Sequence, residues 1–192
     1  MPYLIAGLLI FLGAHSIRIV ADSARTRLRS QWGEKAYKGA YTVLSLLGFG
    51  LIVWGFGVAR ETPTVLWMPA TGMRHLAALL TLLAFVLLAA AYVPGNAIKA
   101  RVHHPMVLSV KTWALAHVLT TGTVAHVLLF GSFLVWAVLC FVASRRRDRA
   151  QGVVYAAGTL PGTVAALVVG VLAWALFAFY LHGILIGIRP LG

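Results

Sequence analysis

Residues 124–143, VAHVLLFGSFLVWAVLCFVA, contain no Asp, Glu, Lys or Arg, and SRRRDR follows at once over 144–149. An apolar run of about 20 residues is what an α-helix needs to cross some 30 Å of hydrocarbon. The arginines behind it mark where the span ends and on which side, because cytoplasmic loops collect Lys and Arg. The same pattern recurs at 2–20, 39–59, 73–93, 105–121 and 163–188, which predicts six spans in one domain over residues 1–192. The expected fold is an all-α integral membrane bundle.

Composition agrees. Of 192 residues, 61% are hydrophobic and only four are acidic, Asp22, Glu34, Glu61 and Asp148. Soluble domains hold roughly 45–50% apolar residues. The net charge of +12 comes from short basic clusters between apolar runs. That distribution suits an inner-membrane protein and argues against nucleic acid as a partner. A single cysteine, Cys140, excludes an internal disulfide, and the lack of Cys-x-x-Cys-His excludes covalent c-type haem attachment. The first span has no basic n-region, and Arg18 follows where a cleavage site would need small residues, so it reads as a retained helix.

The loops after the first, third and fifth spans hold 13 of the 16 basic residues; Arg60, Arg74 and Arg189 lie opposite. The positive-inside rule then places both termini outside the cytoplasm. Residues 120–123 predict a tight hairpin. The segment 21–38 predicts an interfacial helix with Leu28, Trp32 and Tyr37 at the headgroups. Gly158-x-x-x-Gly162 and Gly183-x-x-x-Gly187 match the spacing that lets helices approach closely.

Ionisable groups within spans are costly and mark function. His15 falls in the cytoplasmic half of the first span, with Arg18 one turn beyond. His117 falls in the outer half of the fourth, stacked over Trp113. Lys111 and His104 share another face of that helix. His75, His126 and His182 lie at outer helix ends, and His103 and His104 border a basic loop and read as solvated. No acid falls inside a span, so carboxylate-bridged di-iron sites are excluded. Imidazole-only ligation remains: haem b, copper or zinc. Copper would favour His75, His117, His126 and His182; haem would use Arg18, Arg101 and Lys111 for its propionates.

His15-Ser16-Ile17-Arg18, Gly33-Glu34-Lys35-Ala36-Tyr37-Lys38-Gly39-Ala40-Tyr41, His104-Pro105 and Trp113-Ala114-Leu115-Ala116-His117 through Gly122 together resemble the NnrU family over roughly residues 1–185. That family occurs in bacteria and is associated with denitrification. It is related to the haem-dependent 15-cis-zeta-carotene isomerase of plants and cyanobacteria. The resemblance implies haem b between the first and fourth spans, with His15 and His117 as axial ligands and Arg18 and Lys111 near the propionates. Trp113 and His104 complete the expected cofactor-binding set. Ala114 stands where the isomerase has a cysteine, so a redox-linked ligand swap is not expected. With one imidazole only, an open iron position would admit nitric oxide or a lipophilic polyene. The implied function is a haem protein of nitrogen-oxide metabolism in the bacterial inner membrane. A polyene cis–trans isomerase and a histidine-dependent metal-binding factor are the alternatives.

Overall fold

The computed structural model describes residues 1–191, which form helices and no strands. In chain order these are α1 (Pro2–Val20), α2 (Asp22–Trp32), α3 (Glu34–Ala59), α4 (Met73–Tyr92), α5 (Ala97–Val102), α6 (Pro105–Thr120), α7 (Val124–Ala150) and α8 (Leu160–Leu176). A π-helical turn over Phe177–Leu181 joins α8 to α9 (His182–Ile186), making one continuous rod. Large apolar side chains cover the outside, with Leu9 70%, Leu46 64% and Leu172 64% exposed. In water such a surface would aggregate; it is the surface a bilayer solvates.

Five rods, namely α1, α3, α4, α7 and α8–α9, are long and apolar enough to cross a membrane. The expected span at 105–121 is the shorter one: α6 has 16 residues. At 1.5 Å per residue this is about 24 Å. Pro105 opens it, lacking the N–H that a longer helix would need, and Thr121 closes it in extended conformation at φ −135°. Within the segment 21–38 a short helix forms, as expected, between α1 and α3. This helix, α2, buries no residue and leaves Trp32 56% exposed.

Side by side, the rods run α3, α1, α7, α6, α4, α8 in a row, each touching the next. Glycines set the closest approaches. A Cβ on Gly7 would sit 2.6 Å from the Ile52 nitrogen, and one on Gly48 would sit 2.8 Å from the Phe11 nitrogen. Gly55 similarly faces Leu4, so α1 and α3 pack antiparallel along a seam of Gly48, Ile52, Gly55 and Ala59. At the other end of the row, Gly170 of α8 meets Val86 of α4. The Gly158/Gly162 pair does let backbones meet, against residues 94–97. The Gly183/Gly187 pair does not pack a helix: Gly187 ends α9 in left-handed conformation at φ 80°. The apolar core gathers Leu4, Leu8, Ile52, Ala125, Leu129 and Phe130, where α1, α3 and α7 converge.

One buried polar residue fixes the α4–α5 corner. Asn96, 2% exposed, donates to the Ala90 and Val93 carbonyls and accepts from the Lys99 N–H at 2.7 Å. Asn96→Ala orphans those groups together. We expect a loss of about 2–4 kcal/mol, read as a lower unfolding temperature in detergent.

Candidate functional site

His15 is held by its own helix. Its Nδ1 donates to the Phe11 carbonyl at 2.7 Å, leaving Nε2 free. The imidazole stacks on Phe11 with centroids 4.2 Å apart, leans on Tyr41 at 5.2 Å, and meets Trp136 edge-on at 6.1 Å. Beside it, α1, α2 and the start of α3 border a half-open cavity of about 470 Å³, lined by Arg18, Arg25, Arg29, Lys38 and Glu34. Glu34 bridges two of these cations, Arg29 at 2.7 Å and Lys38 at 2.6 Å. Among the described residues Arg18 has no acid within ion-pair distance, and Arg25 has Asp22 at 3.5 Å. The cavity is an imidazole with a spare lone pair at the edge of a cation-rich chamber.

Sequence reasoning found His15 and Arg18 here and missed Arg25, Arg29, Lys38 and Tyr41. The signal was present: Arg25 and Arg29 are spaced i, i+4 on α2, so both project to one side. It needed the Gly33 turn, at φ 78°, to fold α2 back beside α1 and α3.

His117 repeats the local arrangement, its Nδ1 donating to the Trp113 carbonyl at 2.8 Å. Its ring stacks on Phe130 at 4.3 Å and lies 5.2 Å from Trp113. The structure does not bring His117 and His15 together. Helix α7 stands between α1 and α6, and Phe133 fills the gap, 5.8 Å from both Phe11 and Trp113. Across that aromatic layer the two histidines lie one turn to opposite sides, since His15 follows Phe11 on α1 and His117 follows Trp113 on the oppositely directed α6.

The remaining expected site residues scatter. His104 is engaged rather than solvated: its Nε2 lies 2.8 Å from the Asp148 carboxylate, and Tyr155 donates to the same oxygen at 2.8 Å. His103 lies tilted against Tyr155, ring centroids 4.2 Å apart, and meets Arg145. This cluster ties residues 151–155 to α6 and α7, because Asp148 is the only acid on that end of α7. Lys111 is half-buried and makes no hydrogen bond or ion pair among the described residues. At the far end, His126 pairs with Thr123 at 2.6 Å, His182 with the Ile188 carbonyl at 2.6 Å, and His75 is exposed. Among the described residues, no three His, Cys, Asp or Glu side chains come close enough to share a metal ion.

The Asp148 cluster carries a pH dependence. Burial, and then the hydrogen bond to the Asp148 carboxylate, pushes the Tyr155 phenol above its ordinary value of 10.0. A raised folded value means the bond stabilises fully below the unfolded pKa of about 10 and is lost as pH rises through the folded one. In Asp148→Asn, Tyr155 should therefore ionise at lower pH, read as the phenolate absorbance missing from Tyr155→Phe. An unchanged titration would sever the link.

The profile of the NnrU protein family matches residues 3–190, nearly the whole chain. No curated protein and no solved structure matches it. The matched length takes in every spanning helix, His15 and its cavity, and His117, and the chain belongs to the NnrU family.

Proposed function

We propose that the protein is a haem b-binding membrane protein of the bacterial inner membrane, serving nitrogen-oxide metabolism as the family resemblance implies. In this reading α6 is a sixth span, thinning the bilayer locally to suit its length, and both termini face outward. The basic clusters support that orientation, with 13 of the 16 Lys and Arg on the side where α1, α4 and α7 end.

One observation carries the haem assignment: His15, whose Nε2 makes no hydrogen bond among the described residues, lines the cation-rich cavity. A metal-bound histidine characteristically donates its other ring N–H to a carbonyl or carboxylate, as His15 does to Phe11. The residues thus fit one axial imidazole. Arg18 and Arg25, largely unneutralised, suit two propionates as charge-assisted partners. Phe11 stacks on one face of the imidazole, and Tyr41 lies tilted beside it. The filled layer of Phe11, Phe133 and Trp113 argues against one haem bridging His15 and His117, so the one-ligand arrangement is favoured. Bound haem supplies an iron that, with one protein ligand, keeps a position open for a small molecule such as nitric oxide.

The visible spectrum and pyridine haemochrome of detergent-purified protein test this. A b-type spectrum that shifts on adding nitric oxide to the reduced protein is expected. Protein that stays colourless when haem is supplied during expression would overturn the reading.

A further inference from the structure

On the other side of α1 from the basic cavity, a second hollow of about 470 Å³ lies between α1 and α7. It is a lipid-facing groove: Val135 and Leu139 on its rim are 61% and 54% exposed. No charged residue lines it, so an occupant would be neutral. Its volume falls within the roughly 300–1,000 Å³ usual for small-molecule sites. Gly131 keeps part of the wall flat, with nothing nearer than its own helix's Val127 at 4.0 Å to the position of a Cβ.

The polar groups around this groove are unspent. Trp136 forms one wall, and its indole N–H is buried without a partner. Ser16 and Ser132 also line it, one from each helix, and neither hydroxyl makes a hydrogen bond among the described residues. Thr112 and Thr120, by contrast, both return their hydroxyls to the carbonyl four residues earlier, at 2.9 Å. Inside hydrocarbon no water is at hand to satisfy such groups, and each unmet one is costly. An indole can only donate, and a serine donates readily, so the missing partner is an acceptor. Donors on two facing helices suit a molecule with acceptors at two places.

We propose that this groove binds a lipid-soluble carbonyl compound of the quinone type. Its flat ring lies against Gly131, its oxygens take the hydrogen bonds of Ser16 and Ser132, and a turn of the Trp136 ring toward the groove lets the buried indole N–H join them. The apolar rim at Val135 and Leu139 receives its alkyl tail, and the ligand reaches the groove sideways from the bilayer. Ser16 and Ser132 do not line the basic cavity, whereas Trp136 also meets the His15 ring at 6.1 Å, so the Ser16→Ala/Ser132→Ala double variant separates failure of quinone binding from failure of haem binding.

The test is calorimetric titration of the detergent-solubilised full chain with decylubiquinone, using decylbenzene as a carbonyl-free competitor. Saturable binding is expected, with decylbenzene failing to displace the quinone. Ser132→Ala and Trp136→Phe should each weaken it about five- to tenfold, the worth of one hydrogen bond. If Trp136→Phe does not fold, the Ser16→Ala/Ser132→Ala double variant carries the comparison. Wild-type affinity in the variants, or equal competition by decylbenzene, would overturn the assignment. Displacement by an equal concentration of short-chain phosphatidylcholine would overturn it too, showing that the groove takes a lipid ester instead.

Discussion

Replacing His15 by Ala should abolish stable haem binding, while replacing His117 by Ala should leave it in place. His15 presents a free Nε2, fixed in orientation by the bond from Nδ1 to the Phe11 carbonyl, at the edge of a chamber with four cations. Loss even of outer-shell support for a metal ligand costs about 10–100-fold in affinity, so loss of the ligand itself should cost at least about 100-fold. Arg18→Ala and Arg25→Ala each remove one charge-assisted contact and should weaken binding about tenfold or more. The measurement is haem titration of the purified protein, with the pyridine haemochrome as the count of haem per chain. A retained, spectrally unchanged haem in His15→Ala would reject the site. Equal loss in His15→Ala and His117→Ala would instead mean that both imidazoles ligate, and that the ring layer of Phe11, Phe133 and Trp113 opens to admit the cofactor.

The spans were legible because the bilayer imposes them. Runs such as 124–143 contain nothing that hydrocarbon would reject, and five of the six expected ones form rods of spanning length. The pairing of rods was not legible. Gly48 and Gly55 look like two of 19 glycines until α1 is laid against them. Helix periodicity placed His117 over Trp113, whose carbonyl it bonds, just as His15 bonds that of Phe11. It could not show that α7 would separate them, because chain order does not state which helices become neighbours. His104 was misjudged for a related reason. Its partner Asp148 lies 44 residues away and meets it only because α6 and α7 form a hairpin.

The α1–α3 seam yields the second large effect. Gly48→Val should destabilise the bundle by about 3 kcal/mol or more, at the upper end for overpacking. The added atoms would meet the Phe11 backbone, with the first carbon 2.8 Å from its nitrogen, and a backbone cannot swing aside as a flexible side chain can. The helices must part instead. In a bilayer that loss is not softened by any hydrophobic drive to stay together, because association there rests on close packing. Gly50→Ala and Gly57→Ala are the controls: neither position has a neighbour within 4 Å of a Cβ, and alanine favours the helix by about 1 kcal/mol over glycine. Unfolding in detergent should therefore move earlier for Gly48→Val and stay level or move later for the controls. Haem binding adds a sharper readout. Phe11 supplies the carbonyl that aims His15, so a Gly48 variant that still folds should bind haem more weakly, although it touches neither the imidazole nor the cations. Equal haem affinity in a folded Gly48→Val protein would show that the α1–α3 seam sets stability alone and leaves the site untouched.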